Sequence, residues 1–534
     1  MLDVATSELP ADPGLPDKSS ILTGWYRLCS LGPDLGWKVN STIQALKRRC
    51  MDLLFKELHA IVFSNTVGNR RGERGVIKTE NSAVFPSPRI ERLWEIRKMK
   101  CYGKWLGGGV RGITVWMVIL LLSVPTAYAK KETIKVGILH SLSGTMAISE
   151  TSLKDVALMA IEEINHKGGV LGKQLEPVVV DPASNWPLFA EKARELIQKE
   201  KVAVVFGCWT SVSRKSVLPV FEELNSLLFY PVQYEGEESS YNVFYTGAAP
   251  NQQAVPAVEY LMSEDGGGAE RFILLGTDYV YPRTTNKILR HYLTKKGVRS
   301  KDIMETYTPF GHNDYQTIVA KIKKFSAGKQ TAVISTINGD SNVPFYKELG
   351  NQGVRAEDIP VIAFSVGEEE LRGIDTKSLV GHLAAWNYFM SIDSPANTKF
   401  IKKWKKYVKK KKLPGGKGRV TNDPMEATYL GINLWAQAVK QAGTTNVDAV
   451  RQAIGYQKME SPSGYTITMD GGNHHLHKPV FIGEIREDGQ FDIVWKTDGP
   501  IRAQAWSPYI PDSAKKVANW QYPWVCGNCT TPRY

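Results

Sequence analysis

IKVGILHSLSGTMAISE, residues 134–150, contains a short strand, a polar turn and the start of a helix. Apolar residues alternate over 134–138, and the hydroxyl-rich turn 141–145 follows. Apolar side chains then recur at helical spacing over 153–164, until Lys-Gly-Gly at 167–169 ends the helix. A strand that leads through a turn into a helix is the repeating unit of a parallel α/β sheet.

The same alternation continues in two series. The first has predicted strands at 176–180, 202–206, 227–230 and 243–245, and predicted helices at 187–199 and 212–225. The second has predicted strands at 272–275, 303–306, 332–335, 361–364 and 383–385. Because alternating strands and helices build parallel sheets covered on both faces, we predict an α/β fold with two lobes.

Polar and aromatic residues follow the predicted strands, at the sheet edge where parallel α/β proteins hold ligands. The four segments are Gly-Cys-Trp-Thr-Ser at 207–211, Tyr-Pro-Val-Gln-Tyr-Glu-Gly at 230–236, Gly-Thr-Asp-Tyr-Val-Tyr at 276–281 and Asn-Gly-Asp-Ser-Asn at 338–342. Taken alone, Ser211 or Asp340 also suits a helix cap, and a tyrosine can simply close a core edge. The repetition at successive strand ends favours a ligand site.

Longer motifs identify a family. They are VVFGCWTSVSRKSVLPVFE (204–222), LLFYPVQYEGEE (227–238), YTGAAPNQQ (245–253), LLGTDYVYPRTTN (274–286) and INGDSN (337–342), in addition to 134–150. In this order they resemble the periplasmic binding proteins of type I fold, most closely the urea-binding components of bacterial urea ABC importers. The cytoplasmic amide sensors of amidase operons resemble the chain over the same motifs.

The resemblance extends from Thr133 to the C-terminus. It implies two Rossmann-like lobes joined by three crossover strands, with a ligand enclosed when the lobes close. We expect the first lobe at 130–250 and 388–456, and the second at 251–387 and 457–534, including a hairpin at 470–472. The implied partners are an inner-membrane ABC permease and its ATPase subunits.

Residues 99–129 have the parts of an export signal. Basic residues precede an apolar core at 113–124, and Ala-Tyr-Ala at 127–129 is typical of a cleavage site. The apolar run is shorter than the roughly 18 residues that a membrane anchor needs. We therefore expect a periplasmic protein that starts at Lys130, with translation from Met99 and 1–98 as a non-native or disordered extension. The alternative is a genuine extension ahead of a signal anchor.

The resemblance also implies the ligand-binding residues: Trp209, Ser211, Tyr230, Gln233, Tyr234, Tyr279 and Asp340. Urea is flat and neutral, with four N–H donors and one carbonyl, so a dry pocket must supply matching acceptors and donors. Amide and carboxylate oxygens, hydroxyls and aromatic faces in this set suit that shape. A short-chain amide or a branched-chain amino acid is the alternative ligand, and the amide-sensing regulator is the alternative protein.

Other functions have weaker support in the sequence. The formal net charge is +13, but much of the excess lies in residues 1–129, so we expect no nucleic-acid partner.

Cys208 could be a nucleophile with His140 as its base, but a small buried thiol is the favoured interpretation and we expect no enzyme. We expect no cofactor and no metal, because Cys526 and Cys529 lack a second Cys-x-x-Cys pair. Those two cysteines could form a disulfide.

Overall fold

The computed structural model describes residues 132–513 and the backbone of 520–521 and 525–526. The predicted extension 1–98, the predicted export signal 99–129 and the possible disulfide between Cys526 and Cys529 lie outside the residues described in full.

The described helices and strands alternate along most of the chain. In order they are β1 (Thr133–Leu139), α1 (Ala147–His166), β2 (Gln174–Val180), α2 (Trp186–Arg194), β3 (Val205–Gly207), α3 (Ser211–Glu223), β4 (Leu228–Tyr230), β5 (Val243–Tyr245), α4 (Ala254–Met262), β6 (Arg271–Thr277), α5 (Val280–Lys295), β7 (Ile303–Thr308), α6 (Gln316–Ser326), β8 (Thr331–Thr336), α7 (Asn342–Asn351), β9 (Val361–Ala363), α8 (Glu368–Leu371), β10 (Leu383–Trp386), α9 (Pro395–Lys411), α10 (Asp423–Ala442), α11 (Val447–Ile454), β11 (Lys458–Glu460), β12 (Thr466–Met469), β13 (Leu476–His477), β14 (Phe481–Ile485), β15 (Phe491–Lys496), β16 (Trp520–Gln521) and β17 (Val525–Cys526).

Two large sheets form the centres of two lobes, which confirms the predicted α/β fold. The first sheet is parallel, in the order β2-β1-β3-β4-β5. The second has the order β15-β14-β10-β9-β8-β6-β7, and only β14 runs in the direction opposite to the other six strands. The predicted strands lie within a few residues of those observed. Both sheets are buried between helices, as the continuous apolar strands required.

Helices from distant parts of the sequence cover the first sheet. Side chains of α9, α10 and α11 share one apolar core with β1, β3 and α1, through residues such as Trp404, Trp435 and Ile454. We call this assembly the first lobe. The second lobe consists of the second sheet with α4 to α8, whose apolar residues form the cores on its two faces.

The chain crosses between the lobes three times: after β5, after β10 and before β14. Asn387, in the second crossover, joins all three. Its side-chain amide donates to the Gln252 carbonyl at 2.8 Å in the first crossover and to the Pro479 carbonyl at 2.7 Å in the third. A buried side chain therefore aligns the three connecting segments.

The predicted hairpin at 470–472 forms between β12 and β13, but in a different place from that expected. Ile467, Met469 and Leu476 pack into the first core, whereas we expected this hairpin in the second lobe. The hairpin lies there because it bonds to β5, the edge strand of the first sheet. The Tyr245 N–H donates to the His474 carbonyl at 2.8 Å. The hairpin thus covers an edge strand that would otherwise be unpaired.

Candidate functional site

The carboxyl ends of the strands in the two sheets meet between the lobes. Gln233 follows β4 in the first lobe, and its side-chain amide reaches the second lobe just after β9. There it donates to the Phe364 carbonyl at 2.7 Å and to the Ser365 hydroxyl at 2.8 Å. The lobes are therefore in contact at the edge where the sequence predicted a ligand.

Trp209, Ser211 and Tyr230 form the first-lobe side of this edge, and all three are buried. Thr210 caps α3 by accepting a hydrogen bond from the Ser213 N–H at 3.1 Å, which fixes the turn after β3. The Tyr230 hydroxyl donates to the Trp209 carbonyl at 2.5 Å, and the Ser211 hydroxyl donates to Glu235. Each of these side chains is therefore held by its neighbours.

Arg214 packs behind Ser211 and Tyr230 and stabilises this side of the site, and it was not predicted from the sequence. Its guanidinium is completely buried and donates to Glu238 at 2.7 Å, to Glu235 at 3.0 Å and to the Ser211 hydroxyl at 3.0 Å. It also lies 4.7 Å from the centroid of the Tyr230 ring. Burial alone would raise the pKa of Glu238, but the Arg214 charge, with that of Lys215, lowers it. The buried arginine is thus matched by carboxylates of its own lobe.

Tyr279 and Tyr281 form the second-lobe side, at the start of α5. Their buried rings cluster with Val280 and contact Val212 of the first lobe. Burial raises the pKa of Tyr279, and the nearby Tyr230, Tyr281 and Glu235 raise it further. The contact with Val212 places this cluster against the first lobe.

Several buried polar atoms in this region lack a hydrogen-bond partner among the described residues: Trp209 Nε1, Gln233 Oε1 and the Tyr281 hydroxyl, and also His140 Nε2 and Glu150 Oε1 after β1. The Tyr281 hydroxyl lies close to Gln233 and Ser365, although neither contact has hydrogen-bond geometry. Buried polar atoms normally have partners, so an unpaired group of them between two lobes is a candidate ligand site. Tyr281 was missed in the sequence, although it lies two residues after Tyr279 at the same strand end.

Tyr234 and Asp340 have other surroundings. Tyr234 is buried, but its hydroxyl donates to the Glu238 carbonyl at 3.0 Å and lies 2.6 Å from His475 Nε2. Its ring stacks on Tyr245 and also contacts Arg214. Tyr234 therefore packs behind the residues that face the second lobe. Asp340 is exposed in the turn before α7, and its N–H contacts the Thr145 carbonyl at 3.4 Å. The structure therefore brings Asp340 next to the first lobe but not into the buried group.

Cys208 has the surroundings of a structural thiol. It is completely buried, burial raises the pKa of its thiol, and the Glu150 charge raises it further. The reactive form of cysteine is the thiolate, which this environment disfavours at neutral pH. His140 is also buried, and its Nδ1 lies 3.3 Å from Glu150.

Within residues 132–513, no group of three or more histidine, cysteine, aspartate or glutamate side chains is placed to hold a metal ion. The histidines near 475 contact different groups instead: His474 contacts the Ser240 carbonyl and His477 contacts Asp470. The helices of the same part of the chain include none that is long and apolar enough to cross a membrane.

Comparison with known proteins identifies relatives over the same region. A family model described as "Periplasmic binding protein domain" matches residues 134–512. "Leu/Ile/Val-binding protein homolog 6" of Brucella melitensis is 22% identical over 389 residues, which cover 70% of this chain and 93% of that protein. A "Limonene hydroxylase" of Geobacillus stearothermophilus is 34% identical over 148 residues, but these cover 28% of this chain and only 26% of that protein.

Solved structures share the fold. A solute-binding protein of an ABC transporter from Rhodopseudomonas palustris, in complex with p-hydroxybenzoic acid, has a TM-score of 0.60 and 21% identity, covering 71% of this chain and 99% of that one. A branched-chain amino acid transporter substrate-binding protein from Streptococcus pneumoniae, in complex with isoleucine, has a TM-score of 0.56 and 19% identity, covering 69% of this chain and 100% of that one.

Proposed function

The chain belongs to the periplasmic binding protein family, and we propose that it captures urea or a similarly small neutral amide. It is a substrate-binding protein of ABC transporters, of the Leu/Ile/Val-binding type. The relatives that cover most of this region are named for the solutes they bind. The choice of ligand rests on the chemistry between the lobes.

The observation that carries the proposal is the neutral character of the three unpaired atoms on Trp209, Gln233 and Tyr281. Trp209 Nε1–H can donate to the carbonyl of urea, while Gln233 Oε1 and the Tyr281 oxygen can accept from its N–H groups. A ligand that satisfies all three removes the cost of leaving them buried and unpaired, which is about 1–3 kcal/mol for each group.

The charges nearby support the same ligand class. Glu235 and Glu238 already pair with Arg214, so the first-lobe wall offers no uncompensated arginine charge to a ligand carboxylate. An amino acid would bring both an ammonium and a carboxylate into this buried region, and unpaired buried charges are costly.

The names of the relatives favour a second candidate. Proteins called Leu/Ile/Val-binding, and structures that hold isoleucine or p-hydroxybenzoic acid, indicate an amino acid or an aromatic acid. The ring of Tyr279, whose centroid is 4.8 Å from that of Phe310, could pack against an apolar ligand side chain. This candidate requires charged partners for the ligand carboxylate.

Urea sets a limit on affinity through its size. Four heavy atoms at about 1.5 kcal/mol each give roughly 6 kcal/mol, which corresponds to a dissociation constant of tens of micromolar. We expect capture in the periplasm, after export by the signal that ends near Ala129, and delivery to an inner-membrane permease with its ATPase subunits. An intact protein in the cytosol would favour the amide sensor instead.

Calorimetric titration of the protein purified free of ligand, starting at Lys130, tests the proposal with urea, acetamide, isoleucine and 4-hydroxybenzoate. We expect micromolar binding of urea or acetamide. No heat with either at millimolar concentration, together with tight binding of isoleucine or 4-hydroxybenzoate, would contradict it.

A matched pair of variants localises the site. Trp209→Phe keeps an aromatic ring but removes the unpaired Nε1–H, so we expect urea affinity to fall roughly tenfold, the effect of one hydrogen bond. Trp435→Phe makes the same side-chain change at a buried tryptophan of the first core, away from the strand ends, and should leave affinity unchanged.

A further inference from the structure

Helix α8, in the second lobe, carries three consecutive glutamates that are all buried: Glu368, Glu369 and Glu370 are 1%, 6% and 2% exposed. Carboxylates are seldom buried without partners. Glu368 accepts from the Met390 N–H at 2.5 Å, in the second crossover. The other two have partners in the first lobe.

Glu369 and Glu370 contact the first lobe through different residues. The Ser149 hydroxyl, on α1, donates to Glu370 at 2.7 Å. Arg419, in the loop between α9 and α10, lies 3.3 Å from Glu369 and 3.0 Å from Asp155 of α1. Arg419 is 6% exposed, so its guanidinium is buried between a carboxylate of its own lobe and one of the other lobe.

We infer that Arg419, with Glu369 and Glu370, forms a closure latch that sets how tightly the protein holds its ligand without touching it. The latch is complete only when the lobes are together, because Arg419–Glu369 and Ser149–Glu370 each join one lobe to the other. Asp155 keeps Arg419 in place in either state, since both belong to the first lobe. The inference rests on the proposed binding function, because closure matters only if a ligand is enclosed.

The physical reason for a large effect is the burial of these charges. A buried ion pair adds little net stability, but removing one partner leaves the other charge buried with less compensation. Replacing Arg419 would leave Glu369 with Arg372, directly after α8, and would bury Asp155 with Lys154 as its remaining cation. In the open state water can solvate these groups, so the penalty falls on the closed state. Ligand affinity falls because binding must then drive a less favourable closure.

The test compares Arg419→Gln, Glu369→Gln and the double variant with wild type. Urea affinity is measured by calorimetry, and closure by the change in radius of gyration in X-ray scattering when urea is added. We expect each single variant to weaken binding roughly tenfold or more. The double variant should be weakened by less than the product of the two single effects, because the two side chains act on one contact.

Lys403→Gln is the matched control. Lys403 pairs with Glu163 at 2.6 Å, but both lie in the first lobe, so its loss should leave affinity and closure unchanged. Arg419→Gln binding as tightly as wild type, or Lys403→Gln weakening it equally, would overturn the inference.

The two proposals fail in different ways. If wild type does not close with urea, the proposed ligand is wrong, and the same variants are compared with isoleucine and 4-hydroxybenzoate. If none of these ligands closes the wild-type protein, the latch is tested by the rate of amide hydrogen exchange over residues 149–155 in the ligand-free protein. Faster exchange in Glu369→Gln, which keeps the Arg419–Asp155 pair, than in Lys403→Gln supports the latch, and equal exchange overturns it.

Discussion

Arg214 and Arg419 are both buried arginines with two carboxylate partners, but their partners are distributed differently. Glu235 and Glu238, which bind Arg214, belong to the same lobe as the arginine. Arg419 pairs with Asp155 of its own lobe and with Glu369 of the other. The first network therefore persists when the lobes separate, and the second does not. A buried ion pair can therefore stabilise one lobe or the contact between two lobes, depending on where its partners lie.

The largest expected effect is on folding, from Arg214→Met. Glu235 and Glu238 would stay buried without their main cation, so we expect the free energy of unfolding to fall by about 3–5 kcal/mol. Guanidinium chloride unfolding of the ligand-free protein measures it. Arg194→Met, which removes an exposed pair with Glu223, should have a much smaller effect on the free energy of unfolding. Equal losses of unfolding free energy in the two variants would show that Arg214 stabilises the fold no more than a surface arginine does.

The folding stability that depends on the network around Arg214 should change with pH. His475 stacks on Tyr234, whose ring contacts Arg214, and burial lowers the pKa of His475 from 6.5 to about 3. The unfolded chain binds this proton below pH 6.5 and the folded protein does not, so stability is full above pH 6.5 and is lost as pH falls towards 3. Between pH 7 and 5 the loss is about 2 kcal/mol.

Denaturation at several pH values compares wild type with His475→Gln. The variant should lose this part of the pH dependence, while His166→Gln on the surface should retain it. A wild-type slope that both variants share would assign the pH dependence to other groups.

The sequence predicted most of the fold but only part of these networks. Strand and helix positions follow from apolar spacing, which is a local property. The partners of Arg214 lie 21 and 24 residues away, and the contact from Ser149 to Glu370 spans 221 residues. Such pairs depend on how the sheets and lobes assemble, and spacing does not reveal them. The same limit explains Asp340: its motif placed it at a strand end, but the turn it occupies leaves its side chain exposed.

A smaller effect is expected at the second-lobe wall. Tyr281→Phe removes one unpaired hydroxyl and keeps the ring, so urea affinity should fall about tenfold or less. Tyr346→Phe removes another buried, unpaired hydroxyl within the second core and should not change affinity. Titration of both variants by tryptophan fluorescence checks this. Equal loss in both would point to a general effect on the second lobe.

Loss of the Arg419 side chain should affect folding far less than loss of the Arg214 side chain. Arg419→Gln should change the free energy of unfolding of the ligand-free protein by less than about 1 kcal/mol, because the open state exposes its partners to water. The same unfolding experiment as for Arg214→Met provides the value. A loss as large as that of Arg214→Met would make Arg419 a folding residue rather than a latch.

The most direct measurement is a crystal structure of the protein, starting at Lys130, grown with urea. We expect closed lobes with one urea molecule within hydrogen-bond distance of Trp209 Nε1, Gln233 Oε1 and the Tyr281 hydroxyl. An amino acid held at the same place by ionic contacts, or closed lobes in which urea does not reach these three atoms, would contradict it.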